Sequence, residues 1–427
     1  MTTDSMLDRR LHELMAELAA PGDQSAAIDH VLSVTRELRP APRWRVLLKE
    51  RPMRTESVLV AGRPPLRLGF VFAVIALIAL LAASIAVGAY LLRQPAVPPA
   101  YGPAGNGVIA YAEAGDIFTT DAAGANRTAI TTGPAVDSRP VFSRDGTRVA
   151  FLRKENMTTR LIVANADGTG IHAISPEVID DVSGFDWSPD GERLVLLADL
   201  LRAPGPRMAI LVLAADGSGS ADPIDVDDPD IAPNGWIAWS PPTGDEILLR
   251  AHPTLLSPAA GLYAVDPAGG APRTLLEPAS GASNDDCAMC SIALSPDGRW
   301  ATFWTWGPND AGEVGGWGHV VNLSTGAERI ATTWGGNTSP VTPDGDRVIG
   351  VGARVEIEPI DGSAPSRSIG PVLETSGLDL ALSPDGTQVL AIQESGKRTL
   401  IDIETGEATE LDLPSDTTFS WQRIALP

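Results

Sequence analysis

Motifs for common enzyme chemistry are missing from this 427-residue chain. It contains no Gly-x-Ser-x-Gly nucleophile elbow, no phosphate-binding loop ending in Gly-Lys-Ser or Gly-Lys-Thr, and no dinucleotide fingerprint. These absences argue against a serine hydrolase of the prolyl-oligopeptidase kind and against nucleotide-dependent enzymes. We therefore assign no catalytic residue, no cofactor and no metal ion, and expect that the chain is not an enzyme.

Cysteine is nearly absent, since Cys287 and Cys290 are the only two. A structural zinc site needs four ligands, and the chain offers no second cysteine pair and only five histidines. A thioredoxin-like redox pair would require a βαβ setting. A local disulfide between Cys287 and Cys290 is the interpretation we favour if this part of the chain lies in an oxidising compartment.

Basic residues are in deficit, because 32 Lys and Arg stand against 54 Asp and Glu, for a formal net charge of −22. The deficit is confined to residues 93–427, which carry 21 basic and 45 acidic side chains, a net charge of −24. Binding to nucleic acid requires a basic surface. The sequence therefore excludes nucleic acid as a partner of this acidic part.

One segment, Leu68–Leu92, has no charged residue at all. As a helix its 25 residues would extend about 37 Å, enough to cross a hydrocarbon core of about 30 Å. Between Arg36 and Arg67 there are nine basic and three acidic residues, so the positive-inside rule puts the N-terminus in the cytoplasm. We expect a single-pass protein of the cell membrane, whose acidic C-terminal part is extracytoplasmic.

Residues 1–67 differ in character from the rest of the chain. Ser5–Leu18 and Asp23–Leu38 have the apolar spacing of two short amphipathic helices, and Pro40 ends the second. Helix, single span and outer domain resemble the layout of bacterial membrane-bound anti-sigma factors, although the zinc-binding His-Cys-Cys motif of many of them is missing. A transmembrane regulator with a cytoplasmic partner for residues 1–67 is thus one hypothesis, and a basic juxtamembrane tail is the simpler one.

After a Pro- and Gly-rich linker over 93–106, the tetrapeptide Ser-Pro-Asp-Gly recurs, each time before a short apolar run. Clear copies are WSPDGERLVLL from Trp187, LSPDGRWATFW from Leu294 and LSPDGTQVLAI from Leu382. Looser copies are FSRDGTRVAFL from Phe142, VTPDGDRVIGV from Val341 and WSPPTGDEILL from Trp239. Serine, proline, aspartate and glycine in this order suit a type I turn between two strands. A spacing of about 40 to 55 residues indicates one supersecondary unit in many copies.

A second family of turns alternates with the first, and a strand-like run precedes each of its members. Its seven members are Asp121–Gly124, Asp167-Gly168, Asp216-Gly217, Asp266–Gly270, Thr325-Gly326, Asp361-Gly362 and Thr405-Gly406. Each repeat therefore holds two hairpins, or four short strands, as a propeller blade does.

Six copies of the first turn and seven of the second leave one unpaired strand at the end, Thr418–Ala425. We predict that it completes the blade begun by Gly107–Thr132, which closes an all-β ring of seven blades over 107–427. Six blades are the alternative, because the copy at Trp239 is irregular.

The repeated motif, with its second Asp-Gly turn, resembles the repeats of TolB-like β-propellers and covers residues 107–427. The Trp-Asp dipeptide of WD repeats is absent. The α/β domain and export signal that accompany the propeller of TolB itself are not evident, so its role in the cell envelope is not transferred. The resemblance implies a binding, sensing or protein-interaction module whose face takes a protein or peptide. An extracytoplasmic propeller hydrolase or lyase, built from scattered residues, is a further alternative.

Breaks in the repeat pattern are the candidate binding positions. Trp306 and Trp317 flank a loop rich in glycine and aspartate, where exposed aromatic rings can hold a sugar or peptide. Asp285 and Asp286 precede Cys287 in a long insertion after the copy at Trp239. For these carboxylates, and for Asp225, Asp227, Asp228 and Asp230, a solvated acidic loop is the simpler interpretation, since the ligand pattern of a calcium loop is absent.

Overall fold

The computed structural model describes residues 76–77, 79–80, 97–156, 158–176, 179–200, 208–220, 222–226, 231–253, 260–277, 289–308, 314–331, 340–374, 379–414 and 418–426. The chain divides into two compact units, Met1–Gly88 and Ala89–Pro427. The four described residues of the first unit are helical. The predicted tail, 1–67, lies outside the described residues, as does most of the predicted span, 68–92. Among the described residues, no helix has the length and apolar character to cross a membrane.

The second unit is an all-β propeller of seven antiparallel sheets, so the predicted seven-bladed fold is confirmed and the six-bladed alternative is wrong. Blades 1 and 2 use β1 (Gly105–Glu113), β2 (Asp116–Thr120), β3 (Thr128–Ala129), β4 (Val136–Phe142), β5 (Arg148–Glu155), β6 (Thr158–Asn165), β7 (His172–Ala173) and the last strand of the chain, β26 (Phe419–Ile424). Blades 3 and 4 use β8 (Ile179–Trp187), β9 (Arg193–Leu200), β10 (Met208–Ala214), β11 (Ala232–Trp239), β12 (Ile247–His252), β13 (Gly261–Val265) and β14 (Arg273–Leu276).

Blades 5 to 7 complete the ring. Their strands are β15 (Cys290–Leu294), β16 (Trp300–Pro308), β17 (Val314–Asn322), β18 (Glu328–Ile330), β19 (Arg347–Val351), β20 (Val355–Pro359), β21 (Arg367–Ile369), β22 (Asp379–Leu382), β23 (Gln388–Ile392), β24 (Arg398–Asp402) and β25 (Ala408–Leu411). Blades 3 and 6 have three described strands instead of four. Single bridges, Leu211 with Pro223 and Val341 with Val348, stand where their fourth strands would be.

Blade 1 is composite, as predicted, because β26 pairs with β1 in the order β26-β1-β2-β3. Trp421 pairs with Ile109 in this ladder, and the hydroxyl of Ser420 accepts a 3.0 Å hydrogen bond from the backbone N–H of Phe142 in blade 2. The C-terminal strand thereby joins the first blade to the second. Closure of this kind removes the exposed strand edges that would otherwise pair with other chains.

The hydrophobic core is divided into seven clusters, and each lies between two neighbouring blades. Between blades 2 and 3, for example, Leu161 packs with Trp187 and Leu196, all three fully buried. Equivalent clusters follow around the ring and end between blades 7 and 1, where Leu390 packs with Ile109 and Trp421. Because every blade is covered on both faces, the strands read as apolar runs rather than as clean alternations.

The Ser-Pro-Asp-Gly segments form the predicted turns, and each links the first two strands of a blade. In blade 3 the N–H of Gly191 donates to the carbonyl of Ser188 over 2.9 Å, and Gly191 has a φ of 69°, which favours glycine. The buried Ser188 hydroxyl donates to Oδ1 of Asp190 over 2.5 Å and accepts a 2.9 Å bond from the N–H of Arg193. Ser143, Ser295, Thr342 and Ser383 make the same pair of bonds in their own turns.

Candidate ligand site in the axial cavity

A cavity of about 560 Å³ lies where the inner strands converge. All seven blades contribute to its wall, through Arg139, Asp186, Trp239, Leu294, Val341, Leu382 and Trp421. Pro296, Pro343 and Pro384 line it too, so it lies at the end of the ring that carries the Ser-Pro-Asp-Gly turns. A volume of this size is typical of small-molecule sites, which range over about 300–1,000 Å³.

Residues before the first strand also form part of the wall. Ala100, Tyr101 and Gly102 line the cavity. The Arg423 guanidinium donates from Nη2 to the carbonyls of Pro99, over 2.9 Å, and Gly102, over 2.7 Å. The described end of the predicted linker, residues 97–104, therefore lies against the propeller and places the Tyr101 ring at the cavity.

Arg144 is the residue at which the turn motif changes, since it stands where the other copies have proline. Its Nη2 lies 2.9 Å from Oδ1 and 3.2 Å from Oδ2 of Asp186, in the inner strand of the next blade. Oδ2 of Asp186 also accepts a 3.0 Å bond from the backbone N–H of Trp239, one blade further. A single carboxylate thus connects blades 2, 3 and 4 at the cavity wall.

A third arginine reaches the cavity from a bulge in β4. Arg139 has a φ of 53°, and the pairing of β4 with β5 shifts between Ser138 and Val141. Such a bulge re-aims a side chain, and here Arg139 donates to the carbonyls of Val182 and Ser183 in β8, over 3.0 and 3.3 Å. Both terminal nitrogens of Arg139 are therefore already bonded.

The electrostatic balance at the wall is positive, in contrast to the acidic chain. The charged side chains among the described lining residues are Arg139, Arg144, Arg423 and Asp186. Burial lowers the pKa of Arg423 to about 10, and the nearby positive charge of Arg144 lowers it further. Burial raises the pKa of Tyr101 to about 12, against the opposing effect of the Arg144 charge. Tyr101 is therefore a neutral hydroxyl at physiological pH.

Several buried donors around the cavity have no hydrogen bond of good geometry to any described residue. They are the Tyr101 hydroxyl, Nε of Arg144, Nε1 of Trp239, Nε1 of Trp421 and Nε of Arg423. The Trp239 side chain is fully buried and Trp421 is 8% exposed. Leaving a buried polar group unpaired costs about 1–3 kcal/mol, so such a cluster points to a bound acceptor that completes it.

The residues singled out by sequence reasoning lie elsewhere. Cys287, Asp285 and Asp286 fall outside the described residues, so the disulfide and the acidic loop stay predictions. Trp306 and Trp317 lie within β16 and β17, whose ladder continues to the pair Pro308 and Val314, and the side chain of Trp317 is half-buried. Neither tryptophan lines the axial cavity. Their role as a platform for a ligand stays a prediction.

The histidines of the propeller do not meet at the cavity either. His319 accepts or donates through Nε2 to the Thr305 hydroxyl over 2.8 Å and through Nδ1 to Glu328 over 2.5 Å, and it stacks on Phe303 with ring centroids 4.7 Å apart. This hydroxyl–imidazole–carboxylate chain crosses β16, β17 and β18, so it braces blade 5. His172 binds the carbonyls of Gly170 and Ala215. Among the described residues, no three His, Cys, Asp or Glu side chains are grouped to hold a metal ion.

Sequence reasoning missed Tyr101, Arg144, Asp186 and Arg423. Only Arg144 carried a signal, because it replaces the proline of the repeat, while Tyr101 is hidden in a segment with the composition of a linker.

Comparison with solved structures finds other proteins of similar shape. TolB from Acinetobacter baumannii is 13% identical with a TM-score of 0.46, over 74% of this chain and 66% of TolB. The tricorn protease is 12% identical with a TM-score of 0.49, over 78% of this chain and 36% of the protease. Oligogalacturonate lyase from Vibrio parahaemolyticus is 13% identical with a TM-score of 0.49, over 65% of this chain and 80% of the lyase.

The chain spans just under two thirds of that TolB and about a third of the tricorn protease. No family model and no curated protein matches the sequence. These similarities transfer no activity to the chain.

Proposed function

We propose that this protein is a membrane-anchored, extracytoplasmic β-propeller that binds a ligand in its axial cavity. The observation that carries the proposal is the group of buried donors without a partner around a cavity of about 560 Å³. Hydrogen-bonding groups converging on an apolar cavity are typical of binding sites, and Phe185, Trp236 and Phe419 supply the apolar wall.

The membrane anchor rests on the sequence. The uncharged segment Leu68–Leu92 and the basic excess between Arg36 and Arg67 support a cytoplasmic N-terminus and an outer propeller. A tag at each end, followed by protease treatment of intact cells, tests this orientation. We expect the C-terminal tag to be cleaved and the N-terminal tag to be protected. Recovery of the untreated protein in the soluble fraction would contradict the anchor.

Binding in the cavity is tested by filling it. Ala238 lines the cavity and is half-buried, so Ala238→Phe places a ring in the space available to a ligand. Full-length protein is incubated with a small-molecule extract, washed and denatured, and the released compounds are identified by mass spectrometry. We expect compounds enriched by the wild type to be lost from Ala238→Phe.

The matched control is Ala123→Phe, an equal enlargement at an exposed turn residue away from the cavity. It should retain the same compounds as the wild type. Equal retention by all three proteins would show that the cavity does not bind them.

A further inference from the structure

The cavity offers donors in excess, and its one carboxylate is already used. Asp186 accepts from Arg144 and from the N–H of Trp239. The unpaired groups are two guanidinium Nε–H groups, two indole N–H groups and one hydroxyl. Nothing in this set except the hydroxyl can accept a hydrogen bond. A complementary ligand must therefore present several acceptor atoms close together.

Charge narrows the chemistry further. Arg144 and Arg423 are near enough for the charge of one to lower the pKa of the other, and burial acts on Arg423 in the same direction. The propeller segment as a whole carries a net charge of −24, so three arginines at one cavity depart from its general composition. Two like charges held together in a partly buried place are relieved by an anion between them.

We propose that the cavity is a receptor site for a small oxyanion, a carboxylate or phosphate group carried by a small molecule. Arg144 and Arg423 supply the charge and their Nε–H groups, and the Tyr101 hydroxyl donates a further bond. Nε1 of Trp239 and of Trp421 provides donors from the blade side of the wall. The aromatic wall accommodates the uncharged remainder of the molecule. This assignment rests on the proposed function and specifies the ligand class of the same cavity.

Tyr101 makes the site depend on the segment before β1. Arg423 holds that segment through the carbonyls of Pro99 and Gly102, and the same guanidinium keeps its Nε–H for the ligand. The oxyanion would therefore contact both the closing strand β26 and the residues that lead toward the predicted membrane span. Loss of the Tyr101 hydroxyl is a small change that leaves the ring in place.

The test is isothermal titration calorimetry of the full-length protein with inorganic phosphate, citrate and glucose, at one ionic strength set with sodium chloride. Constant ionic strength separates binding from general screening of the acidic surface. We expect phosphate or citrate to bind with one equivalent per chain, and glucose not to bind. The anion that binds distinguishes a phosphate ligand from a carboxylate ligand.

Two cavity variants identify the residues. Arg423→Gln should weaken binding by about tenfold or more, and Tyr101→Phe by about three- to tenfold, since charge-assisted bonds are stronger than neutral ones. Arg273→Gln is the matched control, because Arg273 pairs with Glu246 on the surface and is 59% exposed. It should bind like the wild type. If Arg423→Gln fails to fold, Tyr101→Phe still decides the matter.

Three outcomes overturn the oxyanion assignment: no heat with either anion, binding that is unchanged in both cavity variants, or ordered water alone at the donors in an experimental structure. The proposed function is separate from these outcomes. Retention of a neutral compound that is lost in Ala238→Phe would keep the cavity as a binding site and reject the oxyanion. Failure of both experiments would reject both.

Discussion

Arg144 Nη2 lies 2.9 Å from Oδ1 of Asp186, and this ion pair links the first turn of blade 2 to the inner strand of blade 3. The Asp186 side chain is 13% exposed and that of Arg144 is 32% exposed. We expect a double-mutant cycle with Arg144→Gln and Asp186→Asn to give a coupling energy of about 1–3 kcal/mol, measured by urea unfolding.

The control cycle uses Arg273→Gln and Glu246→Gln, a surface pair with an N–O distance of 2.6 Å. Exposed pairs contribute little, so its coupling energy should be below about 1 kcal/mol. Equal coupling energies in the two cycles would mean that the cavity pair has no special structural role.

The fold could be predicted from the sequence because its main determinants are local. Each Ser-Pro-Asp-Gly turn is specified by four adjacent residues, and counting turns against Asp121–Gly124 and its relatives gave both the seven blades and the closing strand. The three-stranded blades could not be predicted, because turns mark the ends of strands and not whether an edge strand pairs. Bridges such as Val341 with Val348 show how little pairing is left there.

The cavity could not be predicted because its wall is assembled from residues far apart in the sequence. Tyr101 and Arg423 are brought together by ring closure, and Arg144 and Asp186 come from different repeats. The change from proline to Arg144 was visible as a departure from the repeat. Its meaning depends on the partner in the next blade, and a single repeat does not contain that partner.

The buried hydroxyl of Ser188 should be essential to its turn. Ser188→Ala removes the bond to Asp190 and leaves the N–H of Arg193 without its acceptor, so we expect a loss of about 1–3 kcal/mol in unfolding free energy. Ser188→Thr is the control, because Thr342 makes the same two bonds in blade 6. Chemical denaturation of the three proteins measures the difference. If threonine were as harmful as alanine, the hydroxyl would not be the stabilising group.

The turn aspartates should make the propeller sensitive to acid. Burial alone would raise the pKa of Asp190, but hydrogen bonds from the Ser188 hydroxyl and the Glu192 N–H outweigh it and lower the pKa below 3.8. The same balance lowers the pKa of the other aspartates in these turns, Asp145, Asp297, Asp344 and Asp385. A carboxyl group with a lowered folded pKa stabilises the fold above its unfolded pKa. That stability is lost as the pH falls below about 4 toward the folded value.

We therefore expect the unfolding free energy to fall between about pH 5 and pH 3. The double variant Asp190→Asn with Asp385→Asn should be less stable at pH 7 and should lose less on acidification. Glu407→Gln, at an exposed carboxylate, is the control and should follow the wild type. Urea unfolding at a series of pH values provides the comparison. Parallel curves for all three proteins would contradict a role for the turn carboxylates.

Ring closure by β26 should be required for stability of the whole propeller. Deletion of residues 418–427 leaves β1 without its partner and removes Trp421 from the cluster between blades 7 and 1. It also removes the Ser420 acceptor of the Phe142 N–H, so blades 1 and 2 lose a direct bond. We expect the loss of most of the unfolding free energy, which is about 5–15 kcal/mol for a typical domain. We also expect association through the exposed edge of β1, measured by light scattering. Deletion of Leu426 and Pro427 alone should have little effect, because Leu426 is 57% exposed and follows the strand. A truncated ring that unfolded at the same urea concentration as the intact one would show that the seven blades hold together without the closing strand.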